Sequence, residues 1–101
     1  MALRALADHY ADTGAISAAI NTYEELLQDV QASDPQPETD LRHANGLSRI
    51  YRDFGNLHRR AGHAERAAML GHQRLKLWQY WDEKLPNNSF VRRQLASIRA
   101  D

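Results

Sequence analysis

Seven side chains between residues 42 and 60 have types and spacings that could do chemistry. Arg42, Asn45, Arg49, Arg52, Asn56, Arg59 and Arg60 follow one another mostly at steps of three or four, so a helix would carry them on one face. Arginine offers a planar fork of donors that pairs bidentately with carboxylate or phosphate. Asparagine adds a donor and an acceptor suited to peptide backbone. Together they would hold an anion, an acidic peptide segment above all. The competing reading is a solvated helix face, partly neutralised by acids elsewhere, where each surface pair is worth only about 0–1 kcal/mol.

Nothing comparable supports catalysis. Of the five histidines (His9, His43, His58, His63 and His72), no two lie three or four residues apart, the spacing that brings two ligands together on a helix. His58 reads as a core filler hydrogen-bonded to a neighbour. Glu24-Glu25 and Asp82-Glu83 are adjacent carboxylates that a helix would point in different directions, whereas acid/base work needs them convergent with separated pKa values. The chain has no cysteine, which excludes disulfides, thiolate nucleophiles and Cys-ligated zinc. It has no Gly-rich phosphate loop either. The expectation is a protein that is not an enzyme and uses no cofactor or metal. Trp78 and Trp81 fit core packing better than a stacking platform.

These residues must be positioned by helices. No segment alternates polar and apolar residues at period two, and apolar residues recur at helical spacing throughout. A first helix fits about residues 2–12, with Leu3, Leu6, Ala7 and Tyr10 on one face, and Gly14 closes it. A second fits 15–32, with Ile16, Ala19, Ile20, Tyr23, Leu26, Leu27 and Val30 as its stripe. Ser33-Asp34-Pro35-Gln36-Pro37 is the one clear linker, and Asp34 or Ser33 is a candidate cap. A third helix follows from about residue 37 to 61, burying Leu41, Ala44, Leu47, Tyr51, Phe54, His58 and Ala61, and Gly62 ends it. A fourth, about 63–85, buries Ala67, Ala68, Gly71, Leu75, Trp78, Trp81 and Leu85, and Pro86 stops it. Asn87-Asn88-Ser89 offers caps for a short fifth helix carrying Phe90, Val91, Leu95 and Ile98. The whole is one all-α domain over 1–101: helix pair 2–32, linker 33–36, helix pair 37–85 and a capping helix 89–100. Turns as short as those at Gly14 and Gly62 force antiparallel pairs.

The net charge of zero conceals a division. Residues 1–40 hold one basic residue against eight acids, a sum of −7, and residues 41–101 sum to +7. Eleven of the 13 basic residues are arginine. That asymmetry suggests an acidic partner, or head-to-tail pairing of two copies into a homodimer. The acidic half argues against nucleic acid. No apolar run approaches the roughly 20 residues that span a bilayer, so no membrane partner is expected. The N-terminus runs straight into helical pattern without an apolar leader, which suggests a cytoplasmic setting.

Two stretches repeat one arrangement 48 positions apart. Leu3-x2-Leu6-Ala7-x2-Tyr10, Gly14 and Ala19-x3-Tyr23 are answered by Tyr51-x2-Phe54-Gly55-x2-His58, Gly62 and Ala67-x3-Gly71. The pattern resembles the tetratricopeptide repeat, a helical hairpin of about 34 residues. The second unit departs from it at His58 and Gly71, and the longer period is similar to the long-helix variants of kinesin light chain. The segment from Trp78 to Leu95 also resembles the C-terminal end of repeat regions in large bacterial signalling proteins, some of which carry a Ser/Thr kinase domain upstream. The resemblance covers about residues 2–85. It implies a protein-binding module whose groove is lined by the first helix of each pair. Arg52 and Asn56, one turn apart, resemble the basic-then-asparagine pair with which some of these domains clamp a peptide's terminal carboxylate. The first helix places Arg4 and Asp8 at the matching positions, and an acid there would repel such a group.

Overall fold

A computed structural model describes residues 2–33 and 36–100, with side chains over 5–33 and 36–98. Leu3 and Arg4 on the first helix and the linker pair Asp34-Pro35 lie outside the side chains so described. Among the described residues the chain is all-helical, with α1 Ala2–Asp12, α2 Ile16–Ala32, α3 Leu41–Arg60, α4 Ala64–Lys84 and α5 Ser89–Ala100. None of these helices is long and apolar enough to cross a membrane.

The two glycine turns have the same construction. Gly14 and Gly62 adopt φ of +83° and +82°, a left-handed conformation that costs glycine nothing. In each, the next residue's N–H reaches back five positions: Ala15 to the Tyr10 carbonyl and His63 to the His58 carbonyl, both at 2.8 Å. The glycine N–H bonds three back, to Ala11 and Arg59. This paired pattern satisfies the last carbonyls of α1 and α3. The 48-residue repetition is therefore present in backbone geometry as well as in residue type.

Side-chain contacts between α3 and α4 run in opposite chain order, so those two helices are antiparallel, while α1 and α2 follow one another across a three-residue turn and pack together. Tyr23 donates to Asp8 across the first pair at 2.7 Å. Across the second, Trp78 reaches Ser48 near mid-helix and Trp81 reaches the Pro37 carbonyl at the far end, both at 2.7 Å. Helix α2 packs on α3 through Tyr23, which stacks on Phe54 with ring centroids 5.9 Å apart. Arg66 of α4 lies 5.8 Å over the Phe54 ring and pairs with Glu24 of α2 at 3.2 Å.

The third helix begins at Leu41, not near residue 37. Residues 37–39 instead form a turn, with the Asp40 N–H bonded to the Gln36 carbonyl at 2.8 Å. The carbonyls of Pro37 and Glu38 accept from Trp81 and Lys84 of α4, so the turn meets its backbone needs through tertiary contacts. Asp40 is the cap: its backbone is extended and its carboxylate accepts from the Arg42 N–H at 2.9 Å. The side chain of Arg42 grips the same carboxylate, and these bonds hold its pKa below the ordinary carboxylate value. Asn88 caps α5 by accepting from the Val91 N–H at 3.1 Å, while Asn87 takes the left-handed φ of 64° that ends the preceding turn.

The core has two parts. One joins Ala7 of α1, Ala19, Tyr23, Leu26 and Leu27 of α2, Leu47, Ile50, Phe54 and Leu57 of α3 and Leu70 of α4. The other joins Ala44, Trp78, Trp81, Val91 and Leu95, with Leu41, Leu75, Leu85, Phe90 and Ile98 packed against it. The tryptophans thus pack under α5, with Trp78 edge-on to Phe90 at 5.8 Å. Three expectations of burial are corrected. Ala68 and Gly71 are exposed, because the buried stripe of α4 runs Ala67, Leu70, Arg74, Trp78 and Trp81. Leu6 is 42% exposed, since α1 lies at the end of the helix order and only α2 packs closely along it.

Candidate functional site

The arginine face of α3 resolves into two groups. Arg42, Asn45 and Arg49 line neither of the two clefts beside the C-terminal half of α3. Arg42 is tied to Asp40 at the helix start, Asn45 is half-buried and Arg49 is exposed. Arg52, Asn56, Arg59 and Arg60 surround two clefts that meet at Asn56.

The larger cleft, about 350 Å³, lies between α3 and α4 and is bounded at one side by Ile98 of α5. Its basic residues are Arg52, Arg59, His72 and Arg74. No carboxylate is among the described residues lining it, although Arg52 at its rim pairs with Asp53. Gly55, Ala67 and Gly71 leave the space open, and Tyr51, Leu75 and Ile98 give it an apolar wall. Arg52 donates to Asp53 at 3.0 Å and Arg59 to the Asn56 side-chain oxygen at 2.9 Å. Both arginines stay exposed to solvent. Arg74 differs: it is only 4% exposed, and its Nε donates to Ser48 Oγ at 3.1 Å. Ser48 Oγ also accepts from the fully buried Trp78 indole at 2.7 Å. One hydroxyl thus sets both a core tryptophan and a basic residue of the cleft. Burial pushes the Tyr51 hydroxyl pKa up, so Tyr51 enters the cleft uncharged.

The smaller cleft, about 170 Å³, lies between α1 and α3 over Tyr23. It mixes charges: Asp8 and Asp53 face Asn56 and Arg60 across it. Asp8 accepts from Tyr23, and Arg60 donates to the Ala11 carbonyl at 3.3 Å, bridging the two helix pairs.

His58 is a buried, hydrogen-bonded residue, as its pattern suggests. It is 7% exposed, and its Nδ1 lies 3.0 Å from Nδ1 of His63. Burial, with the nearby Arg66 and His63, lowers its pKa from the ordinary 6.5, against a smaller opposing pull from Glu24. Among the described residues, no three of His, Cys, Asp or Glu are placed to hold a metal ion.

Sequence reasoning missed Ser48 and Arg74. Both occupy apolar-stripe positions, Arg74 midway between Leu70 and Trp78, and Ser48 between Ala44 and Tyr51. A polar residue in register with a buried stripe was the available signal. Comparison with protein-family models, with curated proteins and with solved structures finds no match to the chain.

Proposed function

We propose that this chain is a non-catalytic protein-interaction module of the tetratricopeptide-like kind, two helical hairpins and a capping helix, that docks an acidic or C-terminal peptide segment on α3. The observation that carries this reading is the convergence of Arg52, Asn56 and Arg59 on a cleft with no carboxylate among its described lining residues. Such a cleft attracts carboxylates, and the exposed guanidinium forks suit bidentate pairing. The repeated turn geometry and the buried small residues Ala7, Gly55, Ala19 and Ala67 support a repeat architecture. Arrays of this kind usually work as binding surfaces. In a longer chain it would serve as the end of a repeat region in a signalling protein, and the cysteine-free composition suits the cytoplasm.

Titration with a fluorescent Asp/Glu-rich peptide, comparing wild type with Arg52→Ala, tests the groove. The expected result is saturable binding weakened about tenfold or more by the substitution, as fits loss of a charge-assisted pair. Equal affinity for both proteins would leave α3 a solvated face.

A second reading, self-association, is favoured by the exposure of Leu6 and Met69, at 42% and 52%, and by the opposed charges of the two halves. Sedimentation at low and high salt separates them. A dimer that dissociates with salt supports charge-driven pairing, and a monomer at every salt concentration refutes it.

A further inference from the structure

We propose that the cleft between α3 and α4 is a phosphate pocket, and that the docked segment is a peptide carrying one phosphorylated side chain. This rests on the interaction-module reading above and specifies its ligand. Three arginines, Arg52, Arg59 and Arg74, and His72 line one cleft of about 350 Å³ with Asn56 beside them. Arg52 also pairs with Asp53 at 3.0 Å and Arg74 is bonded to Ser48, so a ligand adds to these contacts through the remaining donors. A single carboxylate offers one charge and two oxygens to such a set. A phosphate monoester carries about −1.5 to −2 at neutral pH and three acceptor oxygens, and so engages more of the forks at once.

The cleft is built for more than a free ion. Leu75, Ile98 and Tyr51 form an apolar wall beside the basic set, which fits an apolar residue next to the phosphorylated one. Arg74 is held in place from beneath by Ser48, so part of the site is preorganised and loses little side-chain freedom on binding. A nucleic-acid strand fits worse. The adjoining cleft carries Asp8 and Asp53, which would repel a second and third phosphate, whereas a peptide has only one to place.

The space itself comes from one position. Gly71 stands 48 residues after Tyr23, whose ring fills the corresponding place in the first hairpin and is buried. A Cβ built on Gly71 meets nothing within 4 Å, so a larger side chain can enter the cleft without displacing backbone.

The test is fluorescence anisotropy with three labelled peptides of one sequence: a phosphoserine followed by leucine, its unphosphorylated twin and its glutamate twin. A single-stranded RNA of matched length is the fourth probe. Wild type, Arg52→Gln, Arg59→Gln, Gly71→Tyr and the off-cleft controls Arg42→Gln and Arg49→Gln are compared, each checked for helicity first. The expected result is phosphopeptide binding at least tenfold tighter than the glutamate twin. It should weaken about tenfold in Arg52→Gln and in Arg59→Gln, disappear in Gly71→Tyr and stay within twofold in both controls. Equal binding of the phosphoserine and glutamate peptides would overturn the phosphate pocket and leave acidic docking standing. Binding of no peptide would overturn both. Tighter binding of the RNA than of the phosphopeptide would overturn the peptide assignment.

Discussion

Ser48→Ala removes one oxygen and strips two buried donors of an acceptor. Ser48 is 2% exposed, Trp78 is fully buried and Arg74 is 4% exposed. The indole N–H at 2.7 Å and the guanidinium Nε at 3.1 Å both end on Ser48 Oγ. A buried donor left unsatisfied costs about 1–3 kcal/mol, and more when it belongs to a charged group. Two such donors give about 2–6 kcal/mol, trimmed toward the lower end where a water replaces the hydroxyl. A domain of this size has only about 5–15 kcal/mol in all, so the variant should unfold at clearly lower urea with the slope of the transition unchanged. Urea titration followed by circular dichroism at 222 nm measures this without relying on tryptophan emission. The same substitution in a Trp78→Phe background should cost less by about 1–2 kcal/mol, because the indole donor has already gone. A loss under about 0.5 kcal/mol in the single variant, or no coupling in the cycle, would refute the claim that this hydroxyl sets both Trp78 and Arg74.

Three other outcomes are expected. His58 has a folded pKa below its unfolded value of about 6.5, so the unfolded chain takes the proton first. Its contribution is fully present above about pH 6.5 and is lost as the pH falls through the folded value. Urea midpoints at pH 7.5, 6.5 and 5.5 should therefore decline in wild type and change less in His58→Gln; equal slopes would assign the decline to other groups. Gly62→Ala should lower the melting temperature, since a φ of +82° costs an L-residue about 1–2 kcal/mol. Gly46→Ala should raise it, because the helical Cβ meets nothing within 4 Å and alanine gains about 0.5–1 kcal/mol over glycine there. At about 4–8 °C per kcal/mol for domains of 60–100 residues, differential scanning calorimetry resolves both, and a shift of the opposite sign in either would contradict the turn and helix assignments.

Most of the helices were legible because their signals are local. Gly14, Gly62 and Pro86 punctuate the chain through backbone conformations that depend on one or two residues, and the helices end where those residues require. The start of α3 was less legible. The turn at 36–39 is held by Trp81 and Lys84, more than 40 residues away, and no local pattern contains that information. The stripe of α4 was misphased by one residue in its middle. Ala68 and Gly71 look more apolar than Arg74, yet helical geometry places Arg74 in line with Leu70 and Trp78. In the candidate site, the sequence placed the arginines on one helix face, but not which of them share a cleft. That division follows from where α4 and Ile98 close against α3.

The repeat explains why a cleft exists at this place at all. In the first hairpin the small Ala7 admits α2 closely, and Tyr23 fills the remaining gap while stacking on Phe54. In the second, Gly55 and Ala67 give the same close approach, with Leu70 at van der Waals distance of a Gly55 Cβ. The filling aromatic, however, is replaced by Gly71. Packing is more open in the second copy than in the first: the cleft over Tyr23 is about 170 Å³ and the one beside Gly71 about 350 Å³, with Arg52 and Arg59 bordering the larger. An unfilled gap beside a core forfeits dispersion contacts. Here the missing volume opens onto the surface, so water or a ligand restores them. Gly71 therefore costs the fold less than a sealed cavity would, and it leaves a concave, arginine-bordered recess at the position that corresponds to Tyr23 in the first copy.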